Sequence, residues 1–402
     1  MSVQQPSQPA TIRAAAVGGT RGAHLIQNWQ RWGLADAVAF CDLNVSLVEA
    51  EADATEREGF ARPRAFADLD EMLDWGGFDC VVVATGDATH HAVASRILER
   101  GIPCLVEKPM TTNLEDACDL VRLCRAKNTI GMVGHEFRHV PAIQQAKSRI
   151  EGGLIGTPRI AITLDYCGRM GCYWRRSRWR KSNRTPDMSL TLQKAIHQLD
   201  VQGYLMGSAP TKVYASAGED HFGNNNPSGL RGEGKEIDEN SPYHPSKPLY
   251  INGIRNDKAK QDNLPVFTDD TDLHDNQAVV IDYASGARGT YVECFFTPDY
   301  RVEHTIIGDR GRMVLRAYVG SPFMELEISP MVSTETRIER IPGLGSHSGG
   351  DHGLAKAFIE AVRTGVSVQP TLVDGAYAVA LCKAIDASAE TGQPVQVPCV
   401  ER

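Results

Sequence analysis

The sequence has no apolar run near the ~20 residues that a membrane-spanning helix needs, and Met1 to Ala10 carry neither a basic start nor the apolar core of a secretory signal. Neither a membrane role nor export is expected, and residues 1–10 read as a disordered lead. There is no Cys-x-x-Cys pair and no Cys/His cluster of zinc spacing, although the chain contains 10 cysteines. Scattered cysteines of this kind fit reduced thiols in a cytoplasmic protein, and no metal site is assigned. A basic surface is also missing. Lys and Arg number 42 against 50 Asp and Glu, a net charge of −8, whereas neutralising phosphates needs the opposite sign. Nucleic acid is therefore not expected as the partner. No internal repeat is visible, and 402 residues exceed what one ordinary core organises, so two domains are expected.

Within those bounds, residues 11–137 alternate short apolar runs with amphipathic stretches. Ile12–Val17, Val38–Cys41, Cys80–Ala84, Cys104–Val106 and Ile130–Val133 read as buried strands, and strands separated by helices make a parallel sheet with crossovers. Thr112 to Glu115 form a capping box, and Gly33, Gly59 and Gly101 stand where helices stop. Beyond residue 137 the pattern changes. Arg159–Tyr166, Gln277–Tyr283, Ala287–Phe295 and Arg312–Tyr318 alternate as strands with few helices between them, which predicts an α+β domain over 138–402 with an open, largely antiparallel sheet. Residues 218–275 are polar and rich in Gly, Asn and Pro, and read as an inserted loop or lid. The helical C-terminal segments are expected to pack back on the first domain.

The first strand runs into Gly18-Gly19-Thr20-Arg21-Gly22 and then a helix carrying Leu25, Ile26 and Trp29 on one side. Glycines in such a turn let backbone N–H groups reach a pyrophosphate at the positive end of a helix. With Gly18 first, Thr20 and Ala23 occupy the later glycine positions of Gly-x-Gly-x-x-Gly, so a tight turn without a ligand is the alternative. Asp42, 20 residues beyond Gly22, ends the second strand where a carboxylate accepts the adenosine ribose hydroxyls, and no Arg follows it to receive a 2′-phosphate. The expected cofactor is NAD. Gly19, Thr20, Arg21, Gly22 and Asp42 are its candidate contacts. Thr85, His90, Glu107 and Lys108 join them because they follow the carboxyl ends of later strands, where open α/β sheets bind ligands. A lysine at that place, between an apolar strand and Pro109, can orient a substrate hydroxyl or share its proton.

Glu107-Lys108-Pro109, Phe137-Arg138 with Pro141, Arg178-Trp179-Arg180, His197-Gln198-Leu199-Asp200 and Gly349-Gly350-Asp351-His352 occur in this order, and with them the chain resembles the glucose-fructose oxidoreductase/inositol dehydrogenase (Gfo/Idh/MocA) family over nearly its whole length. The resemblance implies an N-terminal Rossmann domain and a C-terminal α/β domain whose open sheet covers the active site and often forms the oligomer interface. It implies a Lys-Pro peptide that is commonly cis, Lys108 against the reacting hydroxyl, and His197 as acid/base, a role that suits imidazole. Arg138, Arg178, Trp179, Gln193, Lys194 and Asp200 are candidate substrate contacts, Asp200 alternatively structural. This chain departs from the family in having Gln193 where many members carry an aspartate four residues before the histidine. Lys194 could hold an anion or supply a second base.

Arg169, Arg175, Arg176, Arg178, Arg180, Lys181 and Arg184 cluster among Tyr173, Trp174 and Trp179. They read either as a loop pairing with acidic neighbours or as a site for a carboxylate or sulfonate sugar. Three functions are carried forward. The first is hydride transfer between NAD and a secondary carbinol of a sugar, glycoside or cyclic polyol. The second is an NAD-dependent glycosidase that oxidises C3 transiently, eliminates, adds water and reduces again. The third is a sugar- or NAD-sensing regulator without catalysis. A cytoplasmic homo-oligomer is expected in each case.

Overall fold

Five strands were expected in the first third of the chain, and the computed structural model has six. It describes residues 11–168, 173–222, 264, 266–318, 320–333, 335–343 and 345–400, with strand fragments at 250–251 and 254–255. The lead at 1–10, Arg169, and most of the stretch expected as an inserted loop lie outside the described residues. The chain divides into two compact units. One takes Met1–Thr111, Glu115–Gly134 and His352–Ala376, the other Thr112–Leu114, His135–Asp351 and Tyr377–Arg402. The expected boundary at 137 thus falls beside Gly134, and part of the C-terminal region belongs to the first unit.

In the first unit, β1 (Ile12–Val17), β2 (Ala35–Cys41), β3 (Arg64–Phe66), β4 (Cys80–Val83), β5 (Cys104–Val106) and β6 (Gly131–Val133) form one sheet in the order β3-β2-β1-β4-β5-β6. Every pairing in it is parallel. All four residues of β4 are buried, as a strand covered on both faces requires. The edge strand β3 has three residues and only one of them is buried, so it offers no apolar run to read. The crossover helices are α1 (Arg21–Arg31), α2 (Val45–Arg57), α3 (Leu69–Trp75), α4 (His90–Glu99) and α5 (Leu114–Ala126). Ile26 and Trp29 of α1 are buried in one cluster with Phe40, Val82, Leu105 and Met132, and with Phe358 from a late helix. The order reverses direction between β1 and β4, the switch point at which such sheets bind nucleotides.

The second unit has α6 (Pro141–Glu151), β7 (Pro158–Cys167), α7 (Ile196–Met206), β8 (Pro210–Gly218), the short pair β9 (Tyr250–Ile251) and β10 (Ile254–Arg255), then β11 (Asn276–Tyr283), β12 (Arg288–Cys294), β13 (Tyr300–Gly308), β14 (Gly311–Tyr318), β15 (Phe323–Pro330), β16 (Arg337–Pro342) and β17 (Val395–Gln396). Helices α8 (Gly350–Thr364) and α9 (Leu372–Thr391) are shared between the units. Nine strands make one sheet, in the order β16-β15-β14-β13-β7-β12-β11-β8-β17. It is antiparallel except where β7 meets β12. Its two faces separate by alternation. Val213, Ile281, Tyr291, Thr163, His304 and Leu315 are buried on one, whereas Tyr214, Val280, Ile162 and Ile338 are exposed on the other.

Candidate active site

The turn after β1 is shaped by backbone crowding. Gly18 has φ +115°, and a Cβ there would meet the carbonyl oxygen of Ala84, after β4, at 2.3 Å. A Cβ at Gly22 would lie 3.2 Å from the Val17 carbonyl oxygen. Thr20 and Arg21 are exposed at the start of α1, whose first N–H groups lack carbonyl partners within the helix and so face outward as anion donors. Asp42 does more than its sequence position suggests. Its Oδ2 accepts the Gly19 N–H at 2.7 Å, and its Oδ1 accepts the Asn44 N–H at 2.9 Å. The turn is therefore a cradle that side chains would fill, braced by a carboxylate at its rim. These residues fit a dinucleotide.

The segment after β5 is held as tightly. Glu107 Oε1 accepts a hydrogen bond from Arg21 Nε at 2.8 Å, and its Oε2 accepts the Lys108 N–H at 3.1 Å. The Lys108-Pro109 peptide is cis, and Lys108 is half-buried. Thr85 is also half-buried, its hydroxyl receiving a hydrogen bond from Thr89 at 2.8 Å. His90 corrects an expectation. It is 1% exposed, with Nδ1 2.9 Å from the Pro109 carbonyl oxygen and Nε2 3.3 Å from that of Thr85. Both ring nitrogens are thus used to join the two loops, so His90 shapes them and leaves no atom for a cofactor.

In the second unit, His197 opens α7, directly after a turn of π-helix at Thr191–Ala195. Such turns are uncommon and frequent at functional sites. This helix is fastened to the sheet by polar groups one turn apart. Lys194 Nζ lies 2.6 Å from Asp165 Oδ2. Gln198 Oε1 is 3.0 Å from Nε2 of His304. Gln202 Nε2 donates to the Thr163 hydroxyl and the Thr290 carbonyl, both at 2.8 Å, and Tyr283 donates its hydroxyl to Gln202 Oε1 at 2.8 Å. Burial pushes His304 down to about 4, so it is neutral and donates from Nε2 while Nδ1 accepts from Thr163, at 2.9 Å. These bonds fix the azimuth of α7 and with it the direction of His197.

The same arrangement corrects the reading of Lys194. Burial opposes its charge, but Asp165 and the other groups around it outweigh burial and hold the ammonium protonated, well above its ordinary range. A lysine so placed is neither a base nor a binder of substrate anions. Beside it, burial and then the nearby Asp165 charge push the Glu293 carboxyl up to about 8, and Gln277 donates to it at 2.7 Å.

Arg138 was expected at the substrate, and Asp200 either there or in a structural role. They are buried partners in a two-pronged pair, Nε to Oδ2 at 2.8 Å and Nη2 to Oδ1 at 2.6 Å, which binds α7 to the 3₁₀ turn at Glu136–His139. Trp179 is likewise a core residue, 2% exposed, packed edge-on against Tyr173 with centroids 6.1 Å apart. It cannot offer a face to a sugar. The basic segment pairs locally. Arg175 and Arg180 are buried, Lys181 donates to the Asp269 carbonyl at 3.1 Å, and Arg184 takes both oxygens of Asp272. Arg178 is exposed and Gln193 half-buried.

Two residues near His197 were not singled out in the sequence. Glu136 is buried, with Oε1 3.6 Å from Nδ1 of His197, and His347 approaches the same oxygen at 3.7 Å. His347 also donates from Nδ1 to Asp351, 3.1 Å from either carboxylate oxygen. The ring of Phe137 stands edge-on to both imidazoles, with centroids 4.9 Å from His197 and 5.6 Å from His347. His347 and Ser348 both have left-handed backbones, φ +47° and +54°, which costs about 1–2 kcal/mol for each non-glycine residue. The density of glycine at 343, 345, 349 and 350 was the available signal for an irregular segment here.

A parallel sheet with a glycine turn at its switch point and an acidic brace at the end of the second strand defines a dinucleotide-binding protein. The chain belongs to the Gfo/Idh/MocA family: residues 12–135 match the family's NAD-binding Rossmann fold, and residues 147–397 match its C-terminal alpha/beta domain. NAD is thus the cofactor of the first unit. The Bacillus subtilis protein YteT, an oxidoreductase by name, is 24% identical over 312 residues, 70% of this chain and 72% of its own. The 2,7-anhydro-N-acetylneuraminate hydratase of Mediterraneibacter gnavus is 27% identical over 158 residues, 38% of this chain and 39% of its own. This chain therefore aligns with well under half of that relative. The fold is shared with levoglucosan dehydrogenase in complex with NADH and levoglucosan, at TM-score 0.71 and 21% identity, covering 97% of this chain and 100% of that one. Among the described residues no helix is long and apolar enough to cross a membrane.

Proposed function

We propose that this chain moves a hydride between NAD and a secondary carbinol carbon of a sugar, glycoside or cyclic polyol. The observation that carries the reading is His197, a nearly enclosed imidazole on a helix whose rotation is fixed by Lys194, Gln198 and Gln202. Bound NAD supplies the acceptor for the hydride that leaves carbon as the alcohol becomes a carbonyl. Gly18, Gly19, Thr20, Arg21, Gly22 and Asp42 hold the dinucleotide, Arg21 in partnership with Glu107. Lys108 polarises the reacting oxygen, and His197 accepts the hydroxyl proton on its imidazole, a role that suits this side chain. Thr85 lines the loop beside β4, and Gln193 offers an amide to a sugar hydroxyl.

A second reading is favoured by the anhydro-sugar hydratase among the relatives. The same residues oxidise the sugar transiently, a proton on the neighbouring carbon is removed, a C–O bond breaks by elimination, water adds, and reduction restores the alcohol with no net NADH. An acidic sugar is the preferred substrate class on the strength of exposed Arg178, since a guanidinium gives a carboxylate two donors. The protein is read as a cytoplasmic homo-oligomer, its exposed row of Tyr214, Val280, Ile162 and Ile338 suiting contact with a second copy.

The test is incubation with NAD and a panel of neutral and acidic sugars and glycosides, following NADH and released product together. Stoichiometric NADH that disappears in Lys108→Ala and His197→Ala supports the dehydrogenase. Product without net NADH supports the second reading, and neither would overturn both. Arg178→Ala should erase any preference for acidic over neutral sugars.

A further inference from the structure

An imidazole that serves as acid and base needs one nitrogen committed to a fixed partner, so that the other faces the reacting atom in a known protonation state. We propose that Glu136 is the positioning residue of His197 in this chain, with His347 competing for the same oxygen. The inference rests on the reading of His197 as the acid/base.

Three observations carry it. Glu136 is placed by the 3₁₀ turn at Glu136–His139, whose neighbour Arg138 is locked to Asp200 of α7, so carboxylate and histidine belong to one rigid corner. A Cβ on Gly350 would meet the Glu136 carbonyl oxygen at 2.5 Å, so the segment carrying His347 presses against that corner from the other side. The exposures form a gradient, with side chains 4% exposed for Glu136, 11% for His197 and 34% for His347. At 3.6 Å the Glu136–His197 contact is longer than a hydrogen bond, and it becomes an ion pair when the imidazole takes a proton. Nδ1 is the His197 ring atom that approaches the carboxylate.

The charged and titratable groups around this oxygen are His197, His347 with Asp351, and the Arg138–Asp200 pair, with His135 Nε2 3.9 Å from Asp200. The carboxylate of Glu136 raises the proton affinity of His197, and the His347 imidazole, bound to the same corner, lowers it.

The experiment is titration of the His197 ring in the full chain by NMR of labelled histidine, assigned with His197→Gln, which needs no substrate. In Glu136→Gln the midpoint should fall by about one pH unit, and in His347→Gln it should rise. Glu136→Asp should restore part of the loss. An unchanged midpoint in Glu136→Gln, with native melting behaviour and NAD affinity, overturns the proposal. Should Glu136→Gln not fold, the direction of the His347→Gln shift decides, and a fall or no change overturns it. Activity dialysed against chelator should be unaffected; loss restored by zinc would overturn it by making these groups ligands of an ion. If wild-type protein makes NADH from a sugar, the rising limb of its pH profile should move down with the NMR midpoint in Glu136→Gln. If His197→Gln keeps full turnover while the NMR shifts stand, the reading of His197 as acid/base fails and the pairing survives.

Discussion

The nucleotide turn and the corner around His197 solve the same problem, holding polar groups out of water in one geometry, by opposite means. In the turn the backbone does the holding. Gly18 and Gly22 admit close approach, and Asp42 braces the loop through backbone N–H groups. At the corner the side chains do it, through the Arg138–Asp200 pair, the Lys194–Asp165 pair and the stripe of Gln198 and Gln202. The first kind of site depends on where glycine sits and on the single carboxylate of Asp42. The second depends on the identity of residues far apart in sequence.

The largest effect is expected where that contrast is sharpest. Arg138→Ala leaves Asp200 charged and buried, and should destabilise the protein by about 3–5 kcal/mol, seen in denaturant melts; a loss below about 1 kcal/mol would mean that the corner does not rest on this pair. Gly18→Ala adds a Cβ against the Ala84 carbonyl oxygen and keeps a left-handed φ. A cost of about 2–4 kcal/mol is expected, together with loss of NAD binding measured by calorimetry; retained affinity would remove the backbone from the account of the turn. Glu293 titrates near 8 in the folded state and at 4.5 ordinarily. Its folded carboxyl keeps a proton that the unfolded chain has lost, so its contribution is present below about 4.5 and is lost as pH rises through about 8. Stability should fall on the order of 1 kcal/mol per pH unit across that window, and Glu293→Gln should flatten the slope in melts at pH 6 and 8. The smallest effect belongs to the outer face of the sheet. Val280→Arg should change stability by no more than about 0.5 kcal/mol, and a shift to smaller species in light scattering would mark the face as the contact between copies.

What could be read in advance follows the same division. The strands Ile12–Val17 and Cys104–Val106 match their sequence runs residue for residue, because Ala14–Val17 of the first and all of the second are buried and therefore apolar. The expected strand Arg312–Tyr318 is one residue shorter than β14. By contrast β13, with Glu303, His304 and Thr305 at its centre, showed no apolar alternation, since its inward residue is a buried histidine bound to Thr163 and Gln198. Helix α7 hid its sheet-facing side for the same reason, as Gln198 and Gln202 look like surface residues until their partners on β7, β12 and β13 are known. Lys194 and Trp179 were assigned to substrate because a lone cation or indole near a catalytic helix invites it, and Asp165 and Tyr173 are 29 and 6 residues away in sequence. Glu136 and His347 are 211 positions apart, and only the fold brings them to one oxygen.

Asp42 has a consequence for how such a protein could change its diet of cofactors. Because its two oxygens already tie down Gly19 and Asn44, exchanging it for a smaller neutral residue to admit a phosphorylated ribose would also untether the loop beside it. A switch of nucleotide preference is therefore a coupled change: a new anchor for the Gly19 amide has to arrive together with the residue that welcomes the phosphate, and either alone is a step downhill.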